Sequence, residues 1–138
     1  MNKLPNITVI IAILIALSFL FFYLNRAESP SDNAASAYQS ITPSEAKERL
    51  EKEEDAILLD VRTPAEYEEA YIPGSLLIPL QVLRDEAEKK IPDKETPVFV
   101  ICRTGSRSRD AVRILTDLGY TNVYDLGGIL SWPYEIKP

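Results

Sequence analysis

The chain has 138 residues, carries a net charge of -6 at pH 7, and is 46% hydrophobic and 26% charged, which is the profile of a globular protein. Its single cysteine excludes an intramolecular disulfide, and the absence of histidine excludes the common zinc sites and a histidine general base. The acidic balance disfavours nucleic acid as a partner.

The first element is an apolar run from Ile7 to Leu24 that contains no charged residue. A helix over this run approaches the length of the ~30 Å hydrocarbon core of a bilayer, so the run predicts a transmembrane helix over residues 7–24. The alternative is a cleaved signal peptide, because Lys3 gives a positive start and Ala35-Ser36-Ala37 resembles a small-residue cleavage site. The length of the run and its distance from that site favour an uncleaved anchor.

The charges that flank the run predict its orientation. Lys3 and the α-amine precede it, whereas Arg26 alone follows it, which places residues 1–6 in the cytoplasm and the remainder outside. Residues 25–38 are polar and small and are interpreted as a flexible linker, which leaves residues 39–138 for one folded domain. The sequence thus predicts a single-pass protein of the cell membrane with an extracytoplasmic domain, or a secreted protein if the signal is cleaved.

Two helix starts share one pattern, a threonine followed by a proline and, three residues on, a glutamate. Thr42-Pro43-Ser44-Glu45 predicts a capping box and a helix through about Glu53, and Thr63-Pro64-Ala65-Glu66 repeats the same device.

Short apolar runs alternate with helical patterns in the rest of the domain. Four runs are too brief for helices and predict strands that are buried on both faces: Ala56–Val61, Leu76–Ile78, Val98–Ile101 and Val123–Leu126. Two helical spacings lie among them: Leu80, Leu83, Ala87 and Ile91, then Ala111, Ile114, Leu115 and Leu118, which Gly119 ends. The alternation predicts an α/β fold with a parallel sheet of about five strands, helices on both faces, and ligand sites beyond the carboxyl ends of the strands.

The segment after the third apolar run carries the candidate chemistry. Cys102 follows the predicted strand and is succeeded by a short loop with Gly105 and then an amphipathic helix. A helix N-terminus presents unpaired N–H groups and a partial positive charge, and arginines at 103, 107 and 109 add a local basic field. Such a field stabilises a thiolate, so Cys102 is a candidate nucleophile. The simpler alternative is a buried cysteine next to a solvated basic face.

From about Gln39 to Trp132 the sequence resembles the rhodanese family. Four ordered segments carry the resemblance: Asp60-Val61-Arg62…Glu66-Tyr67, Ile72-Pro73-Gly74-Ser75, the six-residue loop Cys102 to Arg107, and Leu126-Gly127-Gly128-Ile129…Trp132. One departure is Ala70-Tyr71, where the family usually has Gly-His.

The resemblance implies a sulfurtransferase that works in two steps. Cys102 takes the outer sulfur of thiosulfate as a persulfide, expels sulfite, and passes the sulfur to cyanide or a thiol, without a cofactor or metal. The loop residues would bind the substrate: Arg103, Thr104, Gly105, Ser106 and Arg107. Asp60 and Arg62 are interpreted as a hydrogen-bonded brace between loops, and Tyr67 and Trp132 as core or rim aromatics.

Two other functions remain possible at this point. A cysteine phosphatase or arsenate reductase needs a loop that is one residue longer, which would place the arginine at position 108, where Ser108 stands. A membrane-tethered rhodanese-like binding or sulfur-relay module is the second alternative, and the presence of Cys102 and its arginines argues against a purely non-catalytic binding module. The oligomeric state cannot be predicted from the sequence.

Overall fold

The computed structural model describes residues 7–25 and 39–138. The predicted cytoplasmic segment 1–6 and all but the first residue of the predicted linker 25–38 lie outside the described residues. Two units are distinguished along the chain, Met1–Ala35 and Ser36–Pro138, and each is described by itself.

The first unit contains helix α1, Ile7–Asn25, in which the apolar side chains that the structure describes, such as those of Ile7 and Phe19, are exposed. Within residues 7–25 and 39–138, no helix combines the length and the apolarity that are needed to cross a membrane. The predicted transmembrane span over residues 7–24 is therefore not supported.

The second unit is an α/β domain around one sheet. Its helices are α2 (Pro43–Lys52), α3 (Pro64–Glu69), α4 (Leu83–Lys90) and α5 (Ser106–Asp117), with single 3₁₀ turns at Leu80–Val82 and Ile129–Ser131. Its strands are β1 (Gln39–Ser40), β2 (Ile57–Asp60), β3 (Leu76–Leu77), β4 (Val98–Cys102) and β5 (Val123–Gly128). The predicted strands and helices are confirmed, with shifts of a few residues at their ends.

All described strand pairs are parallel, and the five strands lie in the order β1-β5-β4-β2-β3. The central strand β4 is buried along its whole length. Since its side chains alternate between faces, Val98, Val100 and Cys102 join one core cluster, whereas Phe99 and Ile101 join the other. Buried residues of α4 and α5 belong to the first cluster and Ala46 of α2 to the second, so helices cover both faces as predicted.

β1 is the element that the sequence analysis missed. It consists of only Gln39 and Ser40, both exposed, and pairs with Tyr124 and Asp125 of β5. A strand of two exposed polar residues leaves no apolar pattern to detect.

Candidate active site

Cys102 is the last residue of β4, so the strand places it at the carboxyl edge of the sheet. Ligands of parallel α/β sheets bind beyond this edge. The residue is 1% exposed, and its side chain belongs to the core cluster that α5 helps to form. The cysteine is thus held by strand packing, with its sulfur next to the loop that follows.

Residues 103–105 fold over the sulfur and lead into α5. Gly105 immediately precedes the helix with a φ of 103°, a left-handed conformation that residues with a side chain rarely adopt. Its backbone N–H donates to Cys102 Sγ at 3.0 Å. The predicted cradle of backbone donors at a helix N-terminus is therefore present.

The pKa of Cys102 is lowered below its ordinary value by hydrogen bonds. Burial is the largest single influence and raises the pKa, but the backbone N–H groups of Ser108, Gly105 and Thr104, together with the Ser108 hydroxyl, outweigh it. These donors stabilise the charged form of the sulfur. More of Cys102 is consequently in the nucleophilic thiolate form at neutral pH than in an unperturbed cysteine.

Ser108 ties the loop to the first turn of α5. It is fully buried, and its hydroxyl donates to the carbonyl oxygen of Gly105 at 3.0 Å. Ser108 was not among the predicted site residues. A small polar residue on the buried face of an amphipathic helix was the available signal, because a buried hydroxyl needs a partner.

The last residue of β5, Gly128, lies directly against the loop that follows Cys102. Gly128 is paired with Cys102 across the sheet, and a Cβ added to it would lie 2.5 Å from the carbonyl oxygen of Arg103 and 2.8 Å from the Cα of Thr104. Only glycine permits this approach of two backbones. Gly128, which belongs to the Leu126-Gly127-Gly128-Ile129 segment of the resemblance, therefore allows the cysteine loop to lie directly against the end of β5.

The three arginines of the segment lie in different surroundings. Arg107 is bonded to Glu66 through both terminal nitrogens, Nη1 to Oε2 and Nη2 to Oε1, each at 2.7 Å. Arg103 and Arg109 are exposed, and within the described part of the chain neither forms an ion pair. Arg107, which the sequence analysis assigned to substrate binding, is thus the most constrained of the three.

Glu66 is a site residue that the sequence analysis recognised only as a helix cap. Its Oε2 accepts the backbone N–H of Thr63 at 3.0 Å and the Thr63 hydroxyl at 3.1 Å, which completes the predicted capping box of α3. The same carboxylate holds Arg107, and this contact is the main reason that the pKa of Glu66 falls to about 2. The pairing joins residues 41 positions apart, so no local pattern could indicate it.

Asp60 and Arg62 form the predicted brace. Asp60 is fully buried, Arg62 is 4% exposed, and Arg62 Nη2 lies 2.7 Å from Asp60 Oδ2. The guanidinium also donates to the carbonyl oxygens of Glu66 at 3.1 Å and Ala70 at 2.7 Å. These bonds hold the last turn of α3, the helix that presents Glu66 to the loop.

The unusual Ala70-Tyr71 pair is accommodated next to this brace. The Tyr71 ring stacks on that of Tyr67 with centroids 5.0 Å apart, and its backbone pairs with Lys137 in an antiparallel bridge.

Trp132 is buried in the core cluster that includes Phe99, as expected for a core aromatic.

A cleft of about 360 Å³ opens beside the loop. Arg103, Glu66 and Glu69 supply its charged edge, and Leu130, which is 71% exposed, is among its apolar residues. Among residues 7–25 and 39–138, no group of three or more metal-binding side chains is found. The site thus combines a stabilised thiolate, backbone N–H donors and, on the cleft, the exposed Arg103.

Comparison with known proteins yields a match to the family model described as Rhodanese-like domain over residues 42–134. The chain is 37% identical over 71 residues to the thiosulfate sulfurtransferase PspE of Escherichia coli, an alignment that spans 51% of this chain and 68% of that protein. It is 38% identical over 92 residues to the adenylyltransferase and sulfurtransferase uba4 of Ogataea parapolymorpha, which covers 66% of this chain but only 23% of that longer protein.

Among solved structures, a rhodanese-related protein from Thermoplasma volcanium superposes with a TM-score of 0.61 at 35% identity, covering 72% of this chain and 98% of that one. The match covers nearly all of the smaller protein.

Proposed function

The chain belongs to the rhodanese-like domain family, and from this premise we propose that it is a sulfurtransferase that moves a sulfane sulfur through a persulfide on Cys102. The proposed donor is thiosulfate or a similar anion, and the proposed acceptor is a thiol or cyanide. The observation that carries the proposal is the Gly105 N–H bonded to Cys102 Sγ at 3.0 Å, in a loop whose donors lower the pKa of the thiol.

In the first step the Cys102 thiolate attacks the outer sulfur of thiosulfate. The S–S bond of the donor breaks, sulfite leaves with its electron pair, and a persulfide forms on Cys102. The thiolate is already stabilised by backbone donors, and sulfite is a good leaving group, so this step needs no histidine. The loop N–H groups that now stabilise the thiolate would hold the charged outer sulfur of the persulfide.

In the second step the acceptor attacks the outer sulfur, and Cys102 leaves again as the thiolate. Arg103 is suited to guide anions to the loop, because it is exposed, lines the cleft and has no carboxylate partner within the described residues. The name of the Escherichia coli relative supports thiosulfate as a donor, although it describes that protein and not this one.

The experiment is intact-mass measurement of the purified protein after incubation with thiosulfate. We expect a gain of one sulfur atom that cyanide removes, with thiocyanate released in equal amount. Cys102→Ser is the matched control, because a serine hydroxyl does not ionise at neutral pH in this environment, and it should show no gain and no thiocyanate above background. A protein that gains no sulfur, or a serine variant that still forms thiocyanate, would overturn the proposal.

For the cellular location we propose, from the sequence alone, that the folded domain lies outside the cytoplasm. The support is the apolar run over residues 7–24 and the excess of positive charge before it. Protease added to cells without their outer layers should degrade the domain, and protection until lysis would contradict the proposal. Mass analysis of the mature N-terminus would distinguish a retained segment from a cleaved signal.

A further inference from the structure

Arg107 carries a charge that would suit an anionic donor, but that charge is already matched. Both of its terminal nitrogens donate to the two oxygens of Glu66 at 2.7 Å. A bidentate pair of this kind fixes the plane of the guanidinium as well as its position. The two side chains are 28% and 19% exposed, so water screens the pair only in part.

Glu66 is itself held in place by a second set of bonds. Its Oε2 accepts from the backbone and the hydroxyl of Thr63, and the backbone oxygen of Glu66 accepts from Arg62. The carboxylate therefore cannot turn away from Arg107 without breaking the cap of α3. Since the pKa of Glu66 is about 2 and that of Arg107 is raised, chiefly by this same contact, the pair is ionised and neutral overall at physiological pH.

The remaining charges at the loop leave one cation unmatched. Arg62 is paired with Asp60, and Arg109, which is exposed and forms no ion pair among the described residues, follows the six-residue loop Cys102 to Arg107 along α5. Arg103 lines the cleft without an ion pair among the described residues, and the exposed carboxylate of Glu69 lies on the same cleft. Of the two arginines in the six-residue loop, only Arg103 thus presents a charge without an ion pair among the described residues.

We propose that Glu66 sets the donor selectivity of this site: by neutralising Arg107, it favours sulfur donors with a single negative charge, such as an organic thiosulfonate, over dianionic thiosulfate. The inference rests on the proposed sulfur transfer and deepens it. The chemical step has the same form for both donors. The Cys102 thiolate attacks the outer sulfur, the S–S bond breaks, and a sulfinate leaves with the electron pair where sulfite would leave from thiosulfate.

Glu66→Gln tests the proposal, because glutamine also fits the capping box while it leaves Arg107 unmatched. We expect KM for thiosulfate to fall by roughly threefold to tenfold, as a second free charge engages the dianion. KM for benzenethiosulfonate should change less, so that the ratio of kcat/KM values shifts toward thiosulfate. Glu69→Gln is the control, since it removes an exposed carboxylate from the same cleft without touching Arg107. An equal shift in that control would overturn the proposal.

The double variant Glu66→Gln, Arg107→Gln separates a neutralised arginine from one that binds the donor. If the pair contributes no net charge, removing both members should restore the selectivity of the original protein to within about twofold. If Arg107 binds thiosulfate directly, the double variant should instead lose thiosulfate selectively, which would overturn the proposal. This variant also provides the test should Glu66→Gln alone fail to fold.

Intact mass distinguishes a failure of the role of Glu66 from a failure of the proposed sulfur transfer. A persulfide that forms from either donor, together with unchanged selectivity in Glu66→Gln, would overturn the role of Glu66 and leave the sulfur transfer intact. A protein that gains sulfur from neither donor would overturn the proposed function and, with it, this inference.

Discussion

Two corners of the domain, each a turn in which the chain passes from a strand into a helix, contain the same four-residue pattern. Only the second corner is part of the candidate site. At Thr42 and at Thr63 a threonine, a proline and a glutamate make the same capping box at the start of a helix. Glu45 is exposed, and its carboxylate accepts hydrogen bonds from the backbone N–H and the hydroxyl of Thr42. Glu66 adds a bidentate contact to Arg107 of the cysteine loop.

The difference shows that local sequence determines the cap, whereas the position of the corner in the sheet determines what else the glutamate does. The Thr63 corner follows β2, and β2 is the direct neighbour of β4, which ends at Cys102. The Thr42 corner follows β1, which lies at the edge of the sheet. A carboxylate at the second corner can reach the loop because adjacent parallel strands end side by side.

Among changes near the Thr63 corner, we expect the largest loss of stability and activity from a substitution that displaces the cysteine loop. Gly128→Ala would place a methyl group 2.5 Å from the carbonyl oxygen of Arg103, so the loop must shift away from both β5 and its contact with Glu66. We expect a loss of roughly 2–3 kcal/mol in the free energy of unfolding and at least about tenfold in kcat for sulfur transfer. Denaturant unfolding and steady-state kinetics measure the two.

Gly74→Ala is the control for that change. Gly74 has a φ of 82° with no atom within 4 Å of an added Cβ, so alanine there introduces backbone strain without a clash. It should lower stability and leave kcat unchanged. A similar loss of kcat in both variants would mean that turnover depends on overall stability and not on the position of the cysteine loop.

A smaller effect should come from removing each glutamate in turn. Glu66→Ala removes both the cap and the partner of Arg107, and we expect a loss of about 2 kcal/mol in the free energy of unfolding. Glu45→Ala removes only an exposed cap, so its melting temperature should fall less and its sulfur transfer should stay unchanged. Thermal melts followed by circular dichroism would contradict the comparison if the two variants melted at the same temperature.

The smallest effect should appear as a difference in acid sensitivity. The pKa of Glu66 is about 2 in the folded protein against an ordinary value of 4.5, mainly because of Arg107. A lowered carboxyl pKa stabilises the folded state above pH 4.5, and this contribution is lost as the pH falls toward about 2. The melting temperature of the original protein should therefore fall more steeply between pH 5 and pH 2 than that of Glu66→Gln. Parallel slopes would show that the pair contributes little to stability.

Features with a local pattern could be predicted from the sequence. Both capping boxes, the buried strand that ends at Cys102 and the glycine before α5 follow from neighbouring residues, and the structure contains them all. Features that depend on chain crossings could not. The contact between Glu66 and Arg107 and the approach of Gly128 to Arg103 join distant segments whose meeting depends on the order of the strands.

The depth of Cys102 limits which molecules can reach its sulfur. Cys102 is 1% exposed and lies under a short loop. A reagent can therefore reach the sulfur only if its reactive atom stands at the end of a narrow group. Small alkylating agents such as iodoacetamide should therefore modify the thiolate far faster than bulky aromatic disulfides of similar intrinsic reactivity. The same burial keeps disulfide bonds on the surfaces of other proteins away from the sulfur. The size of an approaching molecule, as well as its charge, therefore determines whether it can react with Cys102.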